Sequence, residues 1–241
     1  MPLTETIVRS AVERYRREYD RYLKLARRVD EICRAEVVEA NAIRAQVTFR
    51  AKDPKRLEGK LAKYLHDPSW SARIGSVEEL LDHVSDLAAV RVATYEEKDR
   101  ARVAEVIGRV FVGRGGGAVD IEVKDAEGRF YRATHCGVCL PARELAGAYE
   151  NLAGLNCEIQ VSSMLAHVWN EIEHDLRYKP QSGEPTEREN ELLTALAQLL
   201  SAGDIVIKHL LEEAEKRSRE GVPLFVDVSD DVSEGLPRRA A

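Results

Sequence analysis

No run of the chain approaches the roughly 18 consecutive apolar residues of a membrane span, and the opening MPLTETIVRSAVERYRREYD has no secretory apolar core. A cytoplasmic protein is the expectation. Aromatic residues are scarce at 6%, so aliphatic side chains must build most of the core. A hydrophobic content of 44% with 32% charged residues describes a soluble globular chain. Excess positive charge is absent too: the net charge of −6 offers no global attraction to nucleic acid or membrane. Any anionic ligand must therefore be met by local basic clusters. Cysteines number four, and Cys136 and Cys139 beside His135 form a CxxC with no second CxxC to complete a zinc pair. Residues three apart on an extended segment face opposite ways, so buried reduced thiols are expected. The glycine-rich GRGGGA at 113–118 lacks both the Lys-Ser/Thr ending of a P-loop and the GxGxxG spacing, and reads as a loop. No internal repeat or linker divides the chain, so 1–220 is expected to be one domain and 221–241 a tail, with PLFVDV as a docked strand-like piece.

What is present reads as an α+β fold, a mixed sheet of about five strands flanked by helices, with long helices at both ends. Residues 4–42 have the pattern of a long helix or helix pair in which Tyr15, Tyr19 and Tyr22 pack with polar tips. The segment 43–51 alternates as a strand, and Asp53-Pro54 caps a helix to about Tyr64. Ser76 to Glu79 is a capping box opening a short helix. LAAVRVATY reads as a buried strand, followed by a helix from about Glu96 to Val110. VDIEVK, DAEG and RFYRATHCGV form a hairpin. A short helix is expected near 141–150, then a strand with Glu158-Ile159-Gln160-Val161, a helix to about 180, and a last helix over 185–219.

Three segments carry candidate chemistry. Arg50 and Lys52 lie two apart on a strand, and Lys60 follows on the helix; Arg forks and mobile Lys charges suit a polyphosphate. Asp86 opens an apolar strand five residues before Arg91, and Glu158 stands on another strand. Two such carboxylates can hold Mg²⁺ together with substrate phosphates. Tyr131 and His135 share a strand face with Arg129 two residues before the ring, an arrangement suited to a stacked base. On the following helix His167, Glu171, His174 and Tyr178 fall on one face near Lys179, while Leu165, Val168, Ile172 and Leu176 are expected to anchor it. Zinc binding by His167, Glu171 and His174 would lack HExxH spacing and a further ligand.

The order of these segments resembles the synthetase domain of the RelA/SpoT family. The resemblance rests on Arg50-Ala51-Lys52 with Lys60, on SDLAAVRV, on YRATH from Tyr131 to His135, and on EIQ followed by HVWNEIEHDLRYK. It implies a nucleotidyltransferase-like fold with a helical region 1–42, a catalytic core 43–180 and a C-terminal helix. It further implies transfer of pyrophosphate from ATP to the ribose 3′-hydroxyl of GDP or GTP, with Mg²⁺. By position, Arg50, Lys52, Lys60 and Arg91 would bind ATP, and Asp86 would ligate the metal. Glu158 would assist the metal or activate the hydroxyl, and Arg129, Tyr131, His135 and Gln160 would hold the acceptor. His167, Glu171, His174 and Lys179 would form a helix beside the site.

This chain departs from the family pattern at four positions. Ser162 stands where the family has Arg after EIQ-x, Phe130 and Ala89 stand where it has Gly, and Glu127 where alarmone synthetases commonly place Lys. These changes fall on the acceptor side. They keep open a toxin-type relative that pyrophosphorylates the 3′ end of tRNA and is restrained by an antitoxin. A non-catalytic nucleotide sensor or oligomeric scaffold is the alternative from another class.

Overall fold

The computed structural model describes residues 3–125, 131–178 and 185–219. Helix α1 (Glu5–Ile32) starts where Thr4 Oγ1 accepts the Ile7 N–H at 3.3 Å, and continues through a π-helical turn, Cys33–Val38, and a 3-10 turn, Glu39–Asn41. Ala42, at φ 51°, then turns the chain into β1 (Ala45–Ala51). Asp53 and Pro54 open α2 (Pro54–His66), with Asp53 Oδ1 accepting the N–H groups of Lys55 and Arg56. A four-residue helix α3 (Pro68–Ser71) and α4 (Val77–Asp82) follow. Half of the capping box forms as read, with Ser76 Oγ accepting the Glu79 N–H; the return bond falls one residue early, Glu79 Oε2 accepting from Gly75 N at 2.7 Å rather than from Ser76 N. Then come β2 (Ala88–Thr94), α5 (Asp99–Val110), β3 (Asp120–Asp125), β4 (Arg132–Val138), β5 (Cys157–Ser163), α6 (Met164–Tyr178) and α7 (Glu187–Arg219).

Two boundaries differ from the sequence reading. The expected helix at 141–150 is a pair of 3-10 turns, Ala142–Glu144 and Gly147–Leu152, because Gly147 at φ 59° breaks the α run. Helix α5 starts at Asp99 rather than Glu96, whose carbonyl is taken by the Thr94 hydroxyl. The GRGGGA segment is a loop, tightened by Gly113 N bonding Gly117 O at 2.8 Å. A Cβ on Gly113 would lie 1.9 Å from the Ala118 carbonyl oxygen, so only glycine fits that turn. The strand-like piece expected within the tail lies outside the described residues.

The five strands run in the order β1-β2-β5-β4-β3, with only the β2–β5 pair parallel. Period two sorts the side chains onto two faces. One face carries Val90, Val92, Cys136, Val138, Ile159 and Val161, all fully buried in the core with α1 and α5. All four cysteines are buried and free of disulfides, and burial pushes each thiol above its ordinary range, as befits reduced thiols packed in the core. The opposite face carries the polar residues.

Helix α7 packs Leu196, Ala197 and Leu200 on Ala166 and Trp169 of α6, and Trp169 Nε1 donates to the Leu193 carbonyl. By length and composition α7 meets the minimum for crossing a membrane, but that inner face is already occupied by α6. Its other side leaves Leu192, Leu199, Ile205, Val206 and Leu210 exposed.

Candidate active site

The strand register assembles the site. Arg50, Ala89, Glu158 and Gly137 lie side by side across β1, β2, β5 and β4. The next row on the same face is Thr48, Arg91, Gln160 and His135. Residues far apart in sequence thus become neighbours about 5 Å apart, the ordinary strand spacing. Lys52 and Asp86 flank the end of the β1–β2 ladder, whose last backbone bond runs from Lys52 N to Leu87 O at 3.0 Å.

Asp86 is clasped by two ammonium groups. Lys52 Nζ pairs with Oδ2, and Lys60 Nζ lies 3.0 Å from Oδ1. Burial alone would raise the Asp86 pKa, but Lys52 and Lys60 outweigh it and hold the carboxyl at about 2. Lys52 pays for the same burial and is pushed below its ordinary value despite Asp86, whereas Asp86 keeps Lys60 above its own. Arg50 is pushed down by burial and by neighbouring Arg91, and its buried Nε makes no hydrogen bond among the described residues. An orphaned cationic donor beside a carboxylate held by two lysines is what an incoming phosphate would satisfy.

Glu158 is the centre of a second network. Its carboxylate accepts from Ser85 Oγ at 2.8 Å and Gln160 Nε2 at 2.5 Å, and His135 Nδ1 lies 3.3 Å from Oε1, close but poorly aligned. Burial would raise this carboxyl, yet His135, Gln160 and Ser85 bring it down to about 2. His135 Nε2 shares a 3.0 Å hydrogen bond with the Tyr131 hydroxyl. Tyr131 is pushed up to about 12 by burial and by Glu158, so it remains a neutral donor. Sequence reading missed Ser85; its position next to Asp86 was the only signal, since its bond to Glu158 spans 73 positions.

Helix α6 borders this face. Arg91 Nη2 pairs with Glu171 Oε1 at 2.5 Å, so Glu171 is engaged with a cation rather than gathered with histidines. Among the described residues no group of three or more His, Cys, Asp and Glu could hold a metal alone. The anchoring stripe differs from the expected one. Val168 and Ile172 are exposed and Leu165 and Leu176 only half-buried, while Ala166, Trp169 and Glu173 are buried. Helix α7 covers the Trp169 arc, which lies one step around the helix from the arc expected. Arg129, Phe130, Glu127 and Lys179 lie outside the described residues, as does the side chain of Tyr178.

His167 and His174 are both held below the ordinary 6.5, first by burial, with Arg91 acting on His167 and Arg56 on His174. The unfolded chain therefore takes up these protons first as pH falls, so their contribution to stability is intact above about 6.5 and declines below it. The urea midpoint should drop between about pH 7.5 and 5.5, and His167→Gln/His174→Gln should flatten that drop; an unchanged pH slope in the variant would contradict the assignment.

The family described as the region found in RelA / SpoT proteins matches residues 49–183, more than half of the chain. The chain belongs to the RelA/SpoT family. None of the curated proteins matches it. Among solved structures, the fold is that of small alarmone synthetase 2 from Bacillus subtilis, with a TM-score of 0.60 at 19% identity over 83% of this chain and 98% of that one. Small alarmone synthetase 1 from Bacillus subtilis bound to AMPCPP gives 0.59 at 20% identity, covering 85% and 99% of the two chains. A GTP pyrophosphokinase family protein from Streptococcus pneumoniae gives 0.59 at 20% identity over 88% and 98%. RelA/SpoT membership supports a nucleotide-transferase role of the (p)ppGpp-synthetase type and implies Mg²⁺-dependent chemistry. The residues present fit such an ion: Asp86 is an ionised oxygen donor already holding two cationic groups. Mg²⁺ commonly takes one or two carboxylates together with substrate phosphates.

Proposed function

We propose that this chain moves the β,γ-diphosphate of ATP onto the ribose 3′-hydroxyl of GDP or GTP, in the cytoplasm. The observation that carries the reading is the pairing of two networks on one sheet face, a cationic clasp around Asp86 and a hydroxyl-orienting set around Glu158. The ATP phosphates exchange places with Asp86 on Lys52 and Lys60, and Arg50 and Arg91 add donors. Asp86, with Glu158 as the second carboxylate, would hold Mg²⁺, which supplies charge neutralisation to the phosphates. Tyr131 stacks the acceptor base, and His135 and Gln160 fix its ribose. The 3′-oxygen attacks the β-phosphorus in line, the α–β phosphoanhydride bond breaks, and AMP leaves. A carboxylate held near 2 is a weak base, so Glu158 orients the hydroxyl and accepts its proton late, once the forming bond has made that proton acidic.

A second reading is favoured by the acceptor side. Asp120 and Glu122 of edge strand β3 sit beside Gly137 and His135, and Ser162 replaces a cation. An acceptor without its own di- or triphosphate, the 3′ end of tRNA, suits that surface, with an antitoxin as the restraining partner. Offering γ-labelled ATP with GDP, GTP, GMP or deacylated tRNA separates the two: label in GDP or GTP is expected, and label confined to tRNA transfers the protein to the second reading. The exposed apolar residues of α7 support a homo-oligomer as the working form.

A further inference from the structure

We infer that Tyr15, a residue of the N-terminal helix outside every motif, positions the catalytic clasp. Its side chain is fully buried, and its hydroxyl lies 2.7 Å from the carbonyl oxygen of Lys52 and 3.1 Å from that of Leu87. These carbonyls belong to Lys52 itself and to the residue after Asp86. Both lie just past the last ladder pair, Ala51 with Ala88, where the β1–β2 sheet stops supplying backbone partners. The Leu87 carbonyl still accepts from Lys52 N, but Tyr15 gives the Lys52 carbonyl its hydrogen bond. One hydroxyl therefore ties together the two chain ends from which the Lys52 ammonium and the Asp86 carboxylate project. Burial keeps its proton in place, pushing the phenol well above its ordinary range. The ring is held edge-on to Tyr19 at 5.9 Å and tilted against Tyr22 at 5.0 Å, so the hydroxyl cannot swing away without repacking. A buried carbonyl that loses its donor either stays unsatisfied or moves to find one, and movement here separates Lys52 from Asp86.

The catalytic part of this inference rests on the proposed transfer reaction; the geometric part does not. Tyr15→Phe removes the hydroxyl and keeps the ring, and Tyr22→Phe is the control from the same cluster. Two readouts are needed. Labelling of lysines in the full chain with an amine-reactive acetylating reagent, quantified by mass spectrometry, should show Lys52 reacting about five-fold faster in Tyr15→Phe, with exposed Lys55 unchanged as reference and no change in Tyr22→Phe. Turnover in Tyr15→Phe should fall about ten-fold in kcat with KM for ATP within about two-fold. In a Lys52→Gln background the same substitution should change kcat by less than about two-fold, since the group it positions is gone. Unchanged Lys52 labelling overturns the inference. So does a loss of turnover that Tyr22→Phe reproduces or that persists in full in the Lys52→Gln background. Wild-type protein that transfers nothing while Tyr15→Phe still exposes Lys52 refutes the transfer reading and leaves the positioning role standing.

Discussion

Asp86→Asn should reduce pyrophosphate transfer by roughly a thousand-fold or more, because it removes the charge around which the site is organised. The amide is nearly isosteric, so shape is preserved and the loss is electrostatic. In the wild type the Asp86 carboxyl stands at about 2 because Lys52 and Lys60 flank it. Without it, two ammonium groups face one another in a site where Lys52 is already pushed down by burial. Breaking such a pair costs on the order of 3 kcal/mol, lowered here because Lys60 is partly exposed and Lys52 can shed its proton. The variant should thus be less stable but folded. Affinity for ATP measured without Mg²⁺ should be retained or increased, since both lysines are released to the phosphates. A variant that is folded and retains more than about a tenth of its turnover would remove Asp86 from the mechanism.

Glu158→Gln should separate the acceptor side from the ATP side. The carboxylate accepts from Ser85 and Gln160 and faces His135, and a glutamine offers one acceptor oxygen and an amide that must donate. The Gln160 amide must then turn to offer its oxygen to the new N–H, or a donor in this buried site is left without an acceptor at a cost of about 1–3 kcal/mol. Transfer should fall roughly a hundred-fold, while ATP affinity measured by calorimetry without Mg²⁺ stays within about two-fold of wild type. Equal losses in ATP affinity and turnover would show that the two networks are not functionally distinct.

Much of this site is legible in the sequence because period-two alternation is local. Arg50 with Lys52 and Tyr131 with His135 read as sharing strand faces, and the register sets Arg50, Glu158, Gln160 and His135 on one surface, with Lys52 and Tyr131 just beyond the ends of β1 and β4. The capping residues Asp53 and Ser76 were equally local, each needing only the first turn of its own helix. What escaped depends on tertiary partners. The Arg91–Glu171 pair spans 80 positions and the Ser85–Glu158 bond spans 73, and neither has a periodicity to announce it. Helix α6 offered two adjacent arcs of apolar residues, and only the placement of α7 decided that Ala166 and Trp169, rather than Val168 and Ile172, would be covered. Tyr15 was legible as a packing residue, but the destination of its hydroxyl was not, because the carbonyls it meets lie 37 and 72 positions away.

The most direct test is the adenine nucleotide released when purified protein, Mg²⁺, ATP and GDP or GTP are combined. Transfer of a diphosphate breaks the α–β bond, so AMP should form one-to-one with a guanosine product carrying the γ-label. Release of ADP instead, or bound ATP with no guanosine product and no AMP, would contradict the account.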